Sequence, residues 1–251
     1  MEISDKKGSL ALAVIKFTAA VLILVFVCYA AWRTAMFMAR KGKSVPLGTE
    51  ASAKNLPVIV IDPGHGGMDS GAVGVDGSLE KELNLSVAER LCGLFELSGF
   101  ECVMTRDSDR MLVDDGIKEH RKMHDLKNRL AVAGEFVDAG RDVIFISIHM
   151  NKYTSPEYSG LQVWYSPSDG DSEELARYIQ SYASTWLDSS NRRQIKKATS
   201  SIYVLDHAQM PAVLVECGFL SNPEECEKLG NEAYQTQTAL VIYSAVCSAL
   251  R

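Results

Sequence analysis

Three apolar runs constrain this chain most: Val58-Ile-Val-Ile61, Val143-Ile-Phe-Ile-Ser-Ile148 and Ala212-Val-Leu-Val215. None alternates as a half-exposed strand would, so each reads as a strand covered on both faces, the mark of a parallel sheet between helical layers. Helical stripes separate them. Glu80–Ser98 carries Leu83, Val87, Leu91, Leu94 and Phe95 and stops at Gly99. A helix of about Lys118–Val137 precedes the second run, and Glu232–Leu250 closes the chain on Tyr234, Val241, Ile242, Ala245 and Leu250. Phe100–Thr105, Gly160–Tyr165 and Ile202–Leu205 read as further strands. Asp171 with Glu174 reads as the capping box of a helix to Leu187. Asn222-Pro-Glu-Glu225 has an N-cap, proline at the first position and glutamate at the third. The alternation predicts one α/β domain over residues 57–251, with a mixed, mostly parallel central sheet and helices on both faces.

Residues 1–9 form a short lead, 10–32 an apolar stretch and 33–56 a linker. Leu10–Trp32 is broken only by Lys16, Thr18 and small residues, and at 1.5 Å per residue it spans a bilayer core of about 30 Å. It is predicted to be a transmembrane or signal-anchor helix; cleavage at Cys28-Tyr-Ala30 would instead release a secreted protein. Lys6 and Lys7 precede the span, while Arg33, Arg40, Lys41 and Lys43 follow it, so the positive-inside rule alone places the domain inside. The substrate implied below requires the opposite.

Beyond residue 43 lie 19 basic and 30 acidic residues, a formal charge of −11. That balance excludes nucleic acid as a partner, because such binding rests on phosphate neutralisation by Lys and Arg. Cys92, Cys102, Cys217, Cys226 and Cys247 are odd in number, lack CxxC spacing and have apolar neighbours, as buried free thiols do.

Ligands in open α/β sheets bind beyond the carboxyl ends of the strands. The apolar runs lead there into Asp62-Pro-Gly-His65, His149 and Glu216, and Glu80 begins the helix after the glycine loop Gly64–Gly71. The loop matches neither the GxxxxGK[ST] nor the GxGxxG phosphate cradle. Two imidazoles and a carboxylate with one position left for water is a recurrent hydrolytic zinc arrangement. Alternatives stand beside it: a strand-end histidine serves as a hydrogen-bonded core residue, and Glu80 as a favourable charge at a helix N-terminus. Glu216 resists such a reading, since an unpaired buried carboxylate is costly. His120 and His124 are four apart but sit among Arg121, Lys122 and Asp125, a solvated face, and His207 is a candidate for the cleft wall.

The stretch VIVIDPGHGGMDSGA (58–72), the pair Glu80-Lys81, MTRDSD (104–109), SIHMN (147–151) and PAVLVECGFLSNPEE (211–225) resemble, in order, the motifs of the zinc-dependent N-acetylmuramoyl-L-alanine amidases. The resemblance covers the domain from about Pro57 onward. It implies one zinc held by His65, Glu80 and His149, with Glu216 as the catalytic glutamate. The implied reaction hydrolyses the amide between the lactyl group of N-acetylmuramic acid and L-alanine in peptidoglycan. The layout, an anchor plus one catalytic domain, is similar to the germination-specific amidases of spore-forming bacteria. It implies a role in spore cortex maturation (muramic-lactam formation) or germination, outside the cytoplasm, and leaves room for a regulatory protein partner. Asn151 is a candidate to orient a ligand or substrate, and Arg192 and Arg193, followed by Lys196 and Lys197, to meet stem-peptide carboxylates. Two rival readings are a cysteine hydrolase using Cys217 and His149, and a non-catalytic wall-binding module. The family commonly has leucine where this chain has Cys217.

Overall fold

A computed structural model describes residues 56–114 and 116–251. The predicted membrane helix over 10–32, and all but the end of the linker, lie outside those residues. Among the described residues no helix is long and apolar enough to cross a membrane.

Six strands form one sheet: β1 (Val58–Pro63), β2 (Cys102–Met104), β3 (Val143–Asn151), β4 (Gln162–Tyr165), β5 (Lys196–Lys197) and β6 (Ala212–Phe219), in the order β2-β1-β3-β6-β4-β5. All neighbours are parallel except β4 and β6. The helices are α1 (Glu80–Leu97), α2 (Arg121–Asp138), α3 (Gly170–Tyr182), α4 (Tyr203–Asp206), α5 (Pro223–Gly230) and α6 (Glu232–Ala249). The mixed, mostly parallel sheet is as expected.

Side-chain alternation along the central strands divides the core in two. Ile59, Ile61, Ile144, Ile146, Val213, Val215 and Cys217 point to the face covered by α1, α3, α5 and α6. Val58, Val60, Val143, Phe145, Ala212 and Leu214 point to the other, packed with Ala133 of α2 and Val204 and Leu205 of α4. The second stripe continues past the apolar residues into Asp62, Ser147, His149 and Glu216. The sheet therefore delivers its chemistry to the α2–α4 face.

Leu83, Val87, Leu91 and Phe95 bury the inner stripe of α1, and Phe95 meets Phe100 and Tyr243 edge-on at 5.4 and 5.2 Å. Glu80 and Glu82 in the first turn of α1 oppose the helix dipole although no side chain caps it. Asn222 caps α5 by accepting from Glu224 and Glu225 N–H, with Pro223 in the first turn.

Two local expectations fail. Ile202–Leu205 is not a strand: Leu205 and Asp206 N–H donate to Ile202 O, and the single turn of α4 buries Val204 and Leu205 against the second core. The sheet edge there belongs instead to Lys196–Lys197. The cap of α3 is Asp169, which accepts from Asp171 N–H at 2.8 Å, because the helix begins at Gly170 rather than after Asp171. That helix ends at Tyr182 and passes into a π turn over Ala183–Leu187.

Candidate metal centre

β1 ends in a loop that crosses the carboxyl edge of the sheet under tight steric control. A Cβ on Gly64 would collide with the His149 ring, and one on Gly71 (φ +66°) would press on Glu80 and His65. His65 itself adopts φ 63°, a left-handed conformation that costs about 1–3 kcal/mol in a non-glycine residue and persists only where its surroundings hold it. Arg129 of α2 does the holding. Its Nη2 donates to His65 O (2.6 Å), its Nη1 to Pro63 O (2.7 Å) and Asp62 Oδ1 (2.8 Å), and its Nε to Asp125 Oδ2 (2.7 Å). Asp62 also accepts from Thr105 and Ser147 hydroxyls, each at 2.7 Å. Burial opposes ionisation of Asp62, but the Arg129 charge and these hydrogen bonds hold its carboxyl below the usual range. Arg106 grips the same loop, donating from Nε to Pro63 O (2.9 Å) and from Nη2 to Gly64 O (3.0 Å) and Lys81 O (2.7 Å). Two fully buried arginines thus tie β1, β2, α1 and α2 to one histidine-bearing turn.

The histidine meets its expected neighbours. His65 Nε2 lies 3.2 Å and His149 Nδ1 3.0 Å from the same atom, Glu80 Oε1. Ligand atoms from these three residues all lie within 4.8 Å of one another. Glu80 is fixed by Ala72 N–H on Oε2 (2.7 Å) and by Met150 N–H (3.1 Å) and the Asn84 amide (3.4 Å) on Oε1. Burial alone would raise its pKa, but hydrogen bonds and charge from His149 and His65 hold it far below the usual carboxylate range. It is therefore the ionised form that a metal requires. On the outer side, Asp69 Oδ2 approaches His65 Nδ1 to 3.0 Å without the alignment of a hydrogen bond, and Lys122 lies 3.1 Å from the same oxygen. Burial lowers the His65 pKa, but Glu80 and then Asp69 outweigh it and raise it.

These residues fit a zinc ion. Two nitrogens and one oxygen supply three of the four positions of a hydrolytic zinc site. Their 3.0 and 3.2 Å separations are close to the tetrahedral edge of about 3.3 Å set by bonds of about 2 Å. Asp69, 3.0 Å behind His65 Nδ1, stands where a ligating imidazole usually has its carboxylate partner, though the two are not aligned as a hydrogen bond. The two imidazole side chains each remain 18% exposed, while Glu80 is 5% exposed, so the cluster opens outward on its histidine side.

Glu216 is the Cα partner of His149 across β3 and β6 and projects from the same face. Its Oε2 is sealed from solvent and accepts no hydrogen bond. Burial, opposed by the His149 charge, pushes its carboxyl up to about 7. Cys217, next along β6, is fully buried in the opposite core, and burial drives its thiol well above the ordinary range. A thiol on the far side of the sheet from His149 cannot be deprotonated by it, which removes the cysteine-hydrolase reading. Replacing Cys217 by leucine, a small-to-large change in the core, should therefore leave kcat/KM within about threefold and cost about 1–3 kcal/mol of stability. Parallel activity and urea-unfolding measurements check this, and a folded but inactive variant would contradict it.

Other candidates stand apart. Asn151 follows a register shift in β3, and its carbonyl accepts from Leu220 N–H; its side chain makes no hydrogen bond to the cluster. His207 is exposed and stacks on Tyr203 at 4.0 Å. Neither His120 nor His124 joins a metal-competent group among the described residues. Arg192 and Arg193 make no hydrogen bond to the cluster; Arg193 instead lies 4.2 Å over the Phe219 ring. The five cysteines among the described residues are free, as expected, although Cys102 and Cys247 are half-buried rather than buried.

The chain is similar in sequence and fold to proteins named as amidases. The germination-specific N-acetylmuramoyl-L-alanine amidase of Bacillus subtilis is 37% identical over 191 residues, 75% of this chain and 78% of that protein. The CwlD amidase from Clostridioides difficile, solved in complex with the GerS lipoprotein, is 35% identical with a TM-score of 0.72, covering 78% of this chain and 98% of that one. The amidase AmiC2 of Nostoc punctiforme is 32% identical with a TM-score of 0.65, over 77% and 97%. The model of the N-acetylmuramoyl-L-alanine amidase family matches residues 59–248. With that match running from the first strand into the last helix, the chain belongs to the N-acetylmuramoyl-L-alanine amidase family.

Proposed function

We propose that the domain is a zinc-dependent amidase of the spore cortex, with His65, Glu80 and His149 as metal ligands and Glu216 as general base. The observation that carries this reading is the convergence of two imidazole nitrogens on Glu80 Oε1 beside the unpartnered Glu216 carboxylate. A zinc ion held there would supply Lewis acidity, polarising a carbonyl and lowering the pKa of water from about 16 towards about 7. The protein's own groups do the rest. Glu216, raised to about 7, takes a proton from the attacking water and passes it to the leaving amine of L-alanine. Arg106 and Arg129 hold the histidine turn, so the ligand set is prepared before any substrate arrives.

The test is metal analysis of purified His65→Ala and His149→Ala. Each should retain under a tenth of the wild-type zinc; full occupancy in either would overturn the ligand set. Mass spectrometry of peptidoglycan fragments should then show wild-type cleavage at the lactyl–alanine amide, abolished by chelator.

The spore role rests on likeness to the germination-specific amidase of Bacillus subtilis, and a protein partner on likeness to CwlD in its complex with the GerS lipoprotein. Residues 10–32 are proposed to anchor the chain, with residues 57–251 outside the membrane where peptidoglycan lies. Protease added to intact protoplasts should remove the domain, whereas full protection would reverse the orientation.

A further inference from the structure

A second concentration of charge lies on the other flank of the same sheet edge. A cleft of about 450 Å³ runs between the loops that precede β4 and β5, lined by residues 157–159 and 190–193 with Gln162 and Lys196. Gln162 is the Cα partner of Glu216, and paired residues of neighbouring strands project from one face, so the cleft begins beside the base.

The cations in this cleft are held in place without a direct ion pair, with Glu225 acting on Arg193 and Asp188 on Arg192 at longer range. Arg193 donates from Nε to Ser159 O (2.6 Å) and from Nη1 to Gln162 Oε1 (3.3 Å), and its guanidinium lies over Phe219 and Tyr158 at 4.2 and 5.6 Å. Among the described residues its Nη2 has no protein acceptor. Arg192 uses Nη1 on the carbonyls of Ser189 (2.6 Å) and Asn191 (3.3 Å), and among the described residues Nε and Nη2 have no acceptor. Lys196 Nζ sits 4.9 Å over the Trp164 ring. Among the described residues none of these three cations pairs with a carboxylate, although the chain beyond residue 43 carries −11. Glu157 is the single acid lining the cleft, and it is exposed. Guanidinium groups fixed by stacking and backbone carbonyls, with donors left over, are built to meet a planar anion.

We propose that this cleft binds a free carboxylate of the stem peptide, on the amine side of the scissile bond, with Arg192 and Arg193 as specificity determinants. The assignment rests on the amidase reading and deepens it. In the substrate the lactyl carboxyl is consumed in the amide, so the glycan beside that bond is neutral. The free carboxylates lie on the peptide.

Two N-acetylmuramoyl peptides test it, identical except that the acidic residue after alanine is a carboxylate in one and a carboxamide in the other. The wild-type protein should favour the carboxylate by about tenfold in KM, the low end for hydrogen bonds to a charged group, with kcat little changed. Arg192→Gln, at an exposed site, and Arg193→Gln should each bring that preference towards one, while Arg193→Lys should retain part of it. A purely structural role would lower both substrates alike and spare the ratio. Equal KM values for the two substrates in wild type, or a preference unchanged in both glutamine variants, overturns the assignment. If wild type cleaves neither peptide but does cleave polymeric peptidoglycan, the same comparison on amidated and unamidated sacculi decides it. Cleavage of no substrate at all overturns the amidase reading, and this assignment with it.

Discussion

Glu216→Gln should keep zinc and fold but lose at least about 10²-fold in kcat, the usual worth of a positioned general base. Glutamine keeps the shape and still hydrogen-bonds, yet it cannot take a proton from water. Glu216 Oε2 makes no hydrogen bond, so the substitution breaks none there, and retained zinc shows that the loss reports on chemistry rather than on the ligand set. Glu80→Gln is the natural control. Its carboxylate accepts from Ala72, Met150 and Asn84 and touches both imidazoles, so neutralising it should weaken zinc itself. Added zinc should partly restore Glu80→Gln and do nothing for Glu216→Gln. Zinc content and turnover, measured with and without excess metal, separate the two roles; rescue of Glu216→Gln by zinc would exchange them.

Much of this site could be read from the chain because each central strand announces itself as an apolar run and then breaks into chemistry. His65 lies two residues past the end of β1, and His149 and Glu216 lie near the carboxyl ends of β3 and β6, so the sheet brings all three towards one edge. The framework that holds them is not legible in the sequence. Arg129 lies on a helix of otherwise solvated pattern, and its partners Asp62, Pro63 and His65 are far away in sequence. One signal was available. Asp62 ends a strand buried on both faces, and a buried carboxylate demands a cation. Nothing local, however, distinguishes Arg129 from the other basic residues of its helix. Asn84, fully buried and donating to Gly64 O at 3.1 Å, was hidden for the same reason: polar residues within an amphipathic stripe read as its outer face. Ile202–Leu205 departs from the expected strand for the opposite reason. Its β-branched and aromatic residues favour a strand locally, but tertiary packing selects one helical turn that buries Val204 and Leu205.

Arg129→Leu should be the most damaging substitution away from the reacting groups, destabilising the domain by about 3–5 kcal/mol, the range for removing one partner of a buried ion pair. The side chain is 1% exposed and makes contacts with two carboxylates, Asp62 and Asp125, both buried. Leucine fills part of the volume but leaves those charges with hydroxyl and amide donors only, and it frees the Pro63 and His65 carbonyls. The His65 turn then loses the support that holds its φ of 63°, so zinc affinity should fall along with stability. A pH series distinguishes lost charge pairing from lost packing. In the wild type the Asp62 pKa lies below its ordinary 3.8, because Arg129 and the hydroxyls outweigh burial. Its contribution is therefore fully present above pH 3.8 and is lost as the pH falls through the lower folded value. Without Arg129 that depression shrinks. The stability gap between wild type and variant should accordingly be widest at neutral pH and narrow as the solution is acidified below pH 3.8. Urea unfolding at pH 7 and near pH 3 measures both ends. A gap of the same size at each would mean that Arg129 acts by packing alone, and a variant as stable as wild type would show that the turn is held without it.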